Sequence, residues 1–323
     1  MWRSSMPVPL RSPERVQAAC GTSPRRCWRR CWRRCSLGWC PARRPPPRAR
    51  IRVRRSPRAR AVRWSRPRGD SPPSSNDVDC RPTTAHPYPV VLVHGTMGSM
   101  AEWEKFSRAL AAEGYCVFAL NYGGAADSPV YGFGDVPTSA GHVAGFIDRV
   151  LGATGAPEVD LVGYSQGGVL VRYLVKNLGG ASKVRELVAL AAPNHGTTMS
   201  GLANLVSSIP GSADLVESMC AACTQQMVGS DFIQALNAGG ETVEGVHYTV
   251  IASKYDQAVT PYGSSFLSGS SVTNVLLQDV CAQDFTDHLG IPKDGVALRQ
   301  TLNALDPKNA KQHCTLVLPV FGG

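Results

Sequence analysis

Val159-Asp160-Leu161-Val162-Gly163-Tyr164-Ser165-Gln166-Gly167-Gly168 decides the fold of this 323-residue chain. Three of its first six residues are aliphatic, with Tyr164 closing a run too short for a helix, which predicts a short strand buried on both faces. From Gly168 to Leu178 the apolar residues recur at helical spacing. Strand therefore passes to helix within Gly163-Tyr164-Ser165-Gln166-Gly167. So tight a turn forces Ser165 into strained dihedrals and lifts its hydroxyl above the sheet edge. Gly163 and Gly167 are expected because a Cβ at either place would strike the neighbouring strand or helix. G-x-S-x-G is a weak motif alone; the strand before it and the helix after it give it weight.

Outward from that turn, apolar runs alternate with amphipathic ones. Pro89–Val93, Tyr115–Tyr122, Val184–Ala192 and Val246–Ser253 are expected strands, and Thr273–Gln278 a weaker one. Ala101–Glu113 places Trp103, Phe106, Ala109 and Leu110 on one helical face and ends at Gly114. Ser139–Gly152 and Asp294–Leu305 also carry helical spacing. Strands separated by helices imply crossover units, hence an α/β architecture with a mostly parallel central sheet and helices on both faces. Asn194–Gly240 interrupts the alternation with Gly, Ser and short helical pieces, and is a possible cap insertion over the sheet's carboxyl edge.

A serine hydroxyl needs an adjacent base to act as a nucleophile. His288, in Asp284-Phe285-Thr286-Asp287-His288-Leu289-Gly290, lies in a loop after the last strand and before the last helix, where a base must sit to reach the carboxyl edge. His195 is its main rival. His313 has no helix after it, and His142 and His247 belong to a helix and a strand. The base in turn needs a carboxylate to fix its tautomer. Asp256, in the polar turn Ser253–Pro261, is the first candidate, with Asp279 and Asp284 as alternatives; Asp287 should point elsewhere. The order Ser165, Asp256, His288 is the one an α/β-hydrolase arrangement requires.

Acyl transfer also needs donors for the developing oxyanion. The amide of Gln166 is one candidate. The other is the amide of Thr96 in His94-Gly95-Thr96-Met97-Gly98, where Gly95 would allow a sharp turn. His94 is read as a structural hydrogen-bonding residue.

Charge divides the chain. Residues 1–86 hold 22 Arg, no Lys and four acidic residues, a net of +18, whereas 87–323 hold 12 basic and 20 acidic residues, a net of −8. The second part has no electrostatic case for binding nucleic acid. Residues 1–79 form an Arg/Pro-rich segment with neither strand nor helix period, read as disordered or as translated from an unintended frame, with Ser71–Asp79 as linker. A polyanion-binding arm is the rival there. If the Arg codons of Arg26–Cys35 are CGN, dropping two nucleotides turns that repeat into [Leu/Met/Val]-Leu-Ala-[Ser/Pro/Thr/Ala], twice over. Such a run is the stuff of a signal-peptide core, although none is visible as written. No apolar stretch is long enough to span a membrane.

Residues 80–323 are expected to form the globular domain. Its six cysteines, Cys80, Cys116, Cys220, Cys223, Cys281 and Cys314, are compatible with three disulfides in an exported protein. Cys220 and Cys223 fit a short-loop bridge better than a zinc half-site, since no second C-x-x-C accompanies them. Neither a metal-ligand cluster nor a cofactor motif is found.

The stretches Val91–Thr96, Gly163–Gly167, Ala192–Gly196, the Asp256 turn and Asp287-His288 resemble the secreted bacterial triacylglycerol lipases and esterases, and within them the class 2 bacterial lipase family. The resemblance covers residues from about 80 to 318. It implies an α/β-hydrolase fold, Ser165, Asp256 and His288 as catalytic triad, Thr96 and Gln166 as oxyanion residues, a Cys80–Cys116 disulfide, and a lipid or ester substrate. Ester cleavage through an acyl-enzyme, falling off in acid as the base is protonated, is the expected chemistry. A cutinase-like or polyester hydrolase and a non-catalytic binding protein are the alternatives.

Overall fold

The computed structural model describes residues 71–125, 128, 130–199 and 218–320. The Arg-rich stretch 1–70 and the central part of the expected cap, 200–217, lie outside the described residues. Six strands, β1 (Val90–Val93), β2 (Val117–Leu120), β3 (Val159–Tyr164), β4 (Val184–Leu190), β5 (His247–Ala252) and β6 (Val272–Leu276), form one sheet. Its order is β2-β1-β3-β4-β5-β6 and every pairing is parallel. The chain winds outward from β1 to β2, then reverses to β3 on the other side. That reversal opens a crevice at the carboxyl ends of β1 and β3, the place where open α/β sheets hold ligands.

Alternate strand residues face opposite layers, which is why the strands read as continuous apolar runs. Val91, Val93, Phe118 and Leu161 pack with helices α2 (Val136–Thr154) and α3 (Gln166–Asn177). Val90, Leu92, Val162 and Ile251 pack with α1 (Glu104–Ala112), which brings Phe106 and Leu110, and with the last helix, Gly295–Leu305, which brings Val296 and Leu302. Three short helices, α4 (Ala221–Gln225), α5 (Asp231–Asn237) and α6 (Leu277–Val280), precede that last helix, α7.

The differences from the sequence-based expectations have local causes. Helix α2 begins three residues early because Asp135 caps it, its carboxylate accepting the Thr138 amide at 2.8 Å. The expected strand Thr273–Gln278 stops at Leu276 and turns into α6. Order begins before Cys80: Asn76 is buried, and its side chain both accepts from the Ala119 amide (2.9 Å) and donates to the Ala119 carbonyl (3.0 Å). One asparagine thus covers the open edge of β2 as a further strand would. Helix α5, within the expected cap, lies away from a lid's place. Ile233 and Leu236 of α5 are buried in the same apolar cluster as α3, so this part packs beside the sheet's helical layer. The disulfides are Cys80–Cys116, Cys220–Cys223 and Cys281–Cys314. Among the described residues no helix is long and apolar enough to cross a membrane.

Candidate active site

Ser165 joins β3 to α3 with φ 52° and ψ −121°, a left-handed φ that a side chain adopts only under constraint. The constraint is visible on both sides. A Cβ on Gly163 would lie 2.6 Å from the Gly167 carbonyl, and one on Gly167 would strike the Val93 carbonyl oxygen of β1. The Ser165 amide donates to the Leu190 carbonyl at 2.8 Å, which ties the turn to β4. Ser165 is 8 % exposed, so its hydroxyl stands at a nearly dry surface.

Two later loops bring the partners. His288 Nε2 is 3.0 Å from Ser165 Oγ, and His288 Nδ1 is 2.8 Å from Asp256 Oδ2. The other Asp256 oxygen accepts the amides of Ala258 (2.9 Å) and Val259 (2.7 Å), so the carboxylate is anchored by the turn that carries it. His288 is itself fixed by its backbone. Its carbonyl accepts the Tyr164 hydroxyl at 2.8 Å, and its amide donates to Gln257 Oε1 at 3.2 Å. With Nδ1–H directed at a carboxylate, Nε2 is the lone-pair nitrogen facing the serine.

The other candidates lie apart from Ser165 or do other work. His195 is held by Glu241 Oε1 (2.8 Å) and the Ser264 carbonyl (3.0 Å). His142 and His247 are exposed. Asp279 is exposed on α6, and Asp287 accepts the Gly290 and Val320 amides, bracing the loop. Asp284 is fully buried and faces Asp294. His94 stacks on Tyr122 at 4.3 Å and donates from Nδ1 to the Gly95 carbonyl at 2.8 Å; burial pushes its pKa down to about 4, keeping it neutral.

Gln166 is the first residue of α3, so its amide has no intrahelical acceptor. Thr96 follows β1 across the crevice, and its Oγ1 accepts from Gln166 Nε2 at 3.2 Å. Gly95 does not have the left-handed φ of a tight turn; it is glycine for space, a Cβ there lying 3.1 Å from Ser165 Cβ and 3.2 Å from the Tyr164 ring. Its amide donates to Glu102 Oε1 at 3.0 Å, and burial raises the Glu102 pKa to about 8. Glu102, Tyr164, Gln226 and Gln257 were not singled out by sequence. Tyr164 occupies an unconstrained place in the motif, Glu102 lies seven residues from Gly95 in no recognised pattern, and Gln226 and Gln257 act across 130 and 31 residues.

Among the described residues no group of three or more His, Cys, Asp or Glu side chains is placed to hold a metal ion. Fold and site geometry together define an α/β-hydrolase. The chain belongs to the Lipase (class 2) family, whose profile matches residues 87–299. It is 30% identical over 117 residues to a triacylglycerol lipase of Pseudarthrobacter phenanthrenivorans, covering 34% of each chain. It is equally similar, over 117 residues, to a triacylglycerol lipase of Burkholderia plantarii, covering 34% of this chain and 30% of that one. The chain thus spans about a third of the length of the curated relatives it matches. The crystal structure of Aspergillus fumigatus lipase B shares the fold, with a TM-score of 0.56 and 23% identity over 73% of this chain and 55% of that one.

Proposed function

We propose that this protein is a serine hydrolase that cleaves carboxylic esters of apolar acids, acylglycerols among them, through an acyl-enzyme on Ser165. The observation that carries this reading is the unbroken line from Ser165 Oγ to His288 Nε2 (3.0 Å) and from His288 Nδ1 to Asp256 Oδ2 (2.8 Å) behind a strained serine. As Oγ attacks the ester carbonyl carbon, its proton passes to Nε2. The imidazolium so formed faces Asp256, whose charge favours it. The carbonyl oxygen takes up negative charge beside the amides of Thr96 and Gln166, at the start of α3, where the helix dipole also favours an anion. The imidazolium then gives its proton to the departing alkoxide. The alcohol leaves, and the acyl group stays on Oγ. Water repeats the sequence, losing a proton to Nε2 and releasing the acid.

The mouth of the site supports an apolar substrate. Met97 beside the candidate oxyanion amide, Leu289 beside the base and Val130 after β2 are 64 %, 58 % and 38 % exposed, all from loops at the carboxyl edge. Exposed apolar side chains on the loops that carry the site favour lipid or fatty-acyl esters over charged ones. Three disulfides in one domain fit a protein that works in an oxidising compartment outside the cell.

Ser165→Ala is expected to abolish fluorophosphonate labelling and lower ester hydrolysis by at least about 10³-fold. A panel of p-nitrophenyl esters from acetate to palmitate, with triolein and a polyester film, separates the substrate classes. Preference for long acyl chains and triolein is the expected result. Activity on the film with none on triolein would replace the acylglycerol reading by the cutinase-like one. Full activity in the alanine variant would end both.

A further inference from the structure

Thr96 Oγ1 receives two hydrogen bonds, and the second comes from far away in the sequence. Gln226 Nε2 donates to it at 3.1 Å across 130 residues, while Gln166 Nε2 donates at 3.2 Å from the turn itself. The orientation of both amides is fixed independently. Gln226 Nε2 also donates to the Ala222 carbonyl at 2.9 Å, and Gln166 Nε2 to the Gly132 carbonyl at 2.9 Å. A carbonyl oxygen only accepts, so in each case it is the NH2 group that faces Thr96. Both lone pairs of the Thr96 hydroxyl are therefore taken, from opposite neighbours.

The distant glutamine stands on a stiff support. Its side chain is buried, 6 % exposed. Its carbonyl accepts the Thr197 amide at 2.9 Å, and the Val228 amide donates to the Thr197 carbonyl at 3.2 Å, so the chain leaving Gln226 is paired to the segment after β4, while the Gln226 amide donates back to the Ala222 carbonyl at 3.2 Å. Just before it, Cys220–Cys223 closes the turn that opens α4. Gln225, its neighbour, grips the start of α2, accepting the Val136 amide (2.8 Å) and donating to Asp135 (2.7 Å). A loop held this way loses little freedom when charge develops beside it, and a donor that is already in place costs no reorganisation at the moment of reaction.

We propose that Gln226 is a positioning residue for ester hydrolysis, acting through the Thr96 side chain to hold the Thr96 amide where the oxyanion forms. This rests on the function proposed above. Gln226 touches no reacting atom; it completes a clamp whose other jaw is Gln166.

The test uses the full chain and four proteins: wild type, Gln226→Met, Thr96→Val and the double variant, with active sites counted by fluorophosphonate end-point titration. The Gln226→Met side chain keeps the volume but offers no N–H. The expected result is a fall in kcat per titrated site of about tenfold, with KM within about twofold, since the loss falls on the transition state. In the Thr96→Val background the same change should then cost less than about twofold, because the acceptor is already gone. Gln226→Glu, of equal size but without the NH2 group, should lower kcat at least as much at pH 8. Unchanged kcat per titrated site in both Gln226 variants, or full additivity with Thr96→Val, overturns the proposal. Those results leave the serine reading standing, because that one fails only if Ser165→Ala remains active.

Discussion

The two sides of the Ser165–His288 pair are held by different physics. On the serine's side, backbone lies against backbone at Gly163 and Gly167, which leave no room for a Cβ, and at Gly95 a Cβ would press on the Ser165 and Tyr164 side chains. On the histidine's side, side chains hold the loop. Tyr164 donates to the His288 carbonyl, Gln257 accepts its amide, Asp287 braces Gly290 and Val320, and Ser253 Oγ donates to the Thr286 carbonyl at 2.6 Å. Steric exclusion fails all at once, because a clash cannot be half made. A polar net fails bond by bond, each worth on the order of 1 kcal/mol. Substitutions on the first side should therefore threaten folding, and those on the second should grade activity.

Gly167→Ala is the severest way to try this contrast. The new methyl would meet the Val93 carbonyl oxygen and come within 2.7 Å of that of His94, backbone atoms that cannot step aside without moving β1. The expected cost is about 3 kcal/mol or more, at the upper end of what overpacking does, seen as a lower urea midpoint together with lost hydrolysis. A variant with an unchanged midpoint would break the comparison on its steric side.

Asp256→Asn should instead leave the fold in place and remove activity. Asp256 Oδ1 accepts two backbone amides, so an asparagine must keep its oxygen there and turn its NH2 toward His288 Nδ1. Nδ1 then accepts, Nε2 carries the proton, and the ring can no longer take one from Ser165. A fall in kcat of about 10³–10⁴-fold follows from the wrong tautomer, with Tm within about 2 °C of the parent. A folded variant losing less than about tenfold would show that Asp256 does not set the tautomer.

The same contrast explains what was legible in the sequence. Serine-side features are local: a strand, two glycines and a helix start sit within ten residues, and periodicity locates all of them. The parallel sheet and all six strands follow from that kind of signal. His288 and Asp256 were reachable only through topology, as residues in loops after late strands, which is why Asp279, Asp284 and His195 stayed open beside them. The supporting net was out of reach. Tyr164 to His288 spans 124 residues and Gln226 to Thr96 spans 130, and neither pair shares a sequence pattern. Asn76 escaped for another reason: it lies in a Ser/Pro/Asp stretch that composition assigns to linker, yet one side-chain amide suffices to dock it on β2.

The mildest expected effect lies deepest in the base-side net. Asp284 and Asp294 bracket the His288 loop, are both fully buried, and lie within hydrogen-bond reach of each other. One oxygen of each accepts a backbone amide, Thr286 at 2.9 Å and Val296 at 2.7 Å, leaving the second oxygens without a donor. Burial, and then the neighbouring Asp284 charge, raises the Asp294 pKa to about 7, so in the folded state this pair holds a proton that the unfolded chain releases near pH 4. Between those two values the native state binds more protons than the unfolded one, so stability drains away as pH rises from about 4 to about 7. Asp294→Asn keeps the acceptor for Val296 and supplies a permanent N–H to Asp284, removing the titration. The variant should match wild type near pH 4 and melt roughly 2–5 °C higher at pH 8, with kcat changed by less than about twofold. A Tm difference that stays constant across that range would mean that no proton is held there.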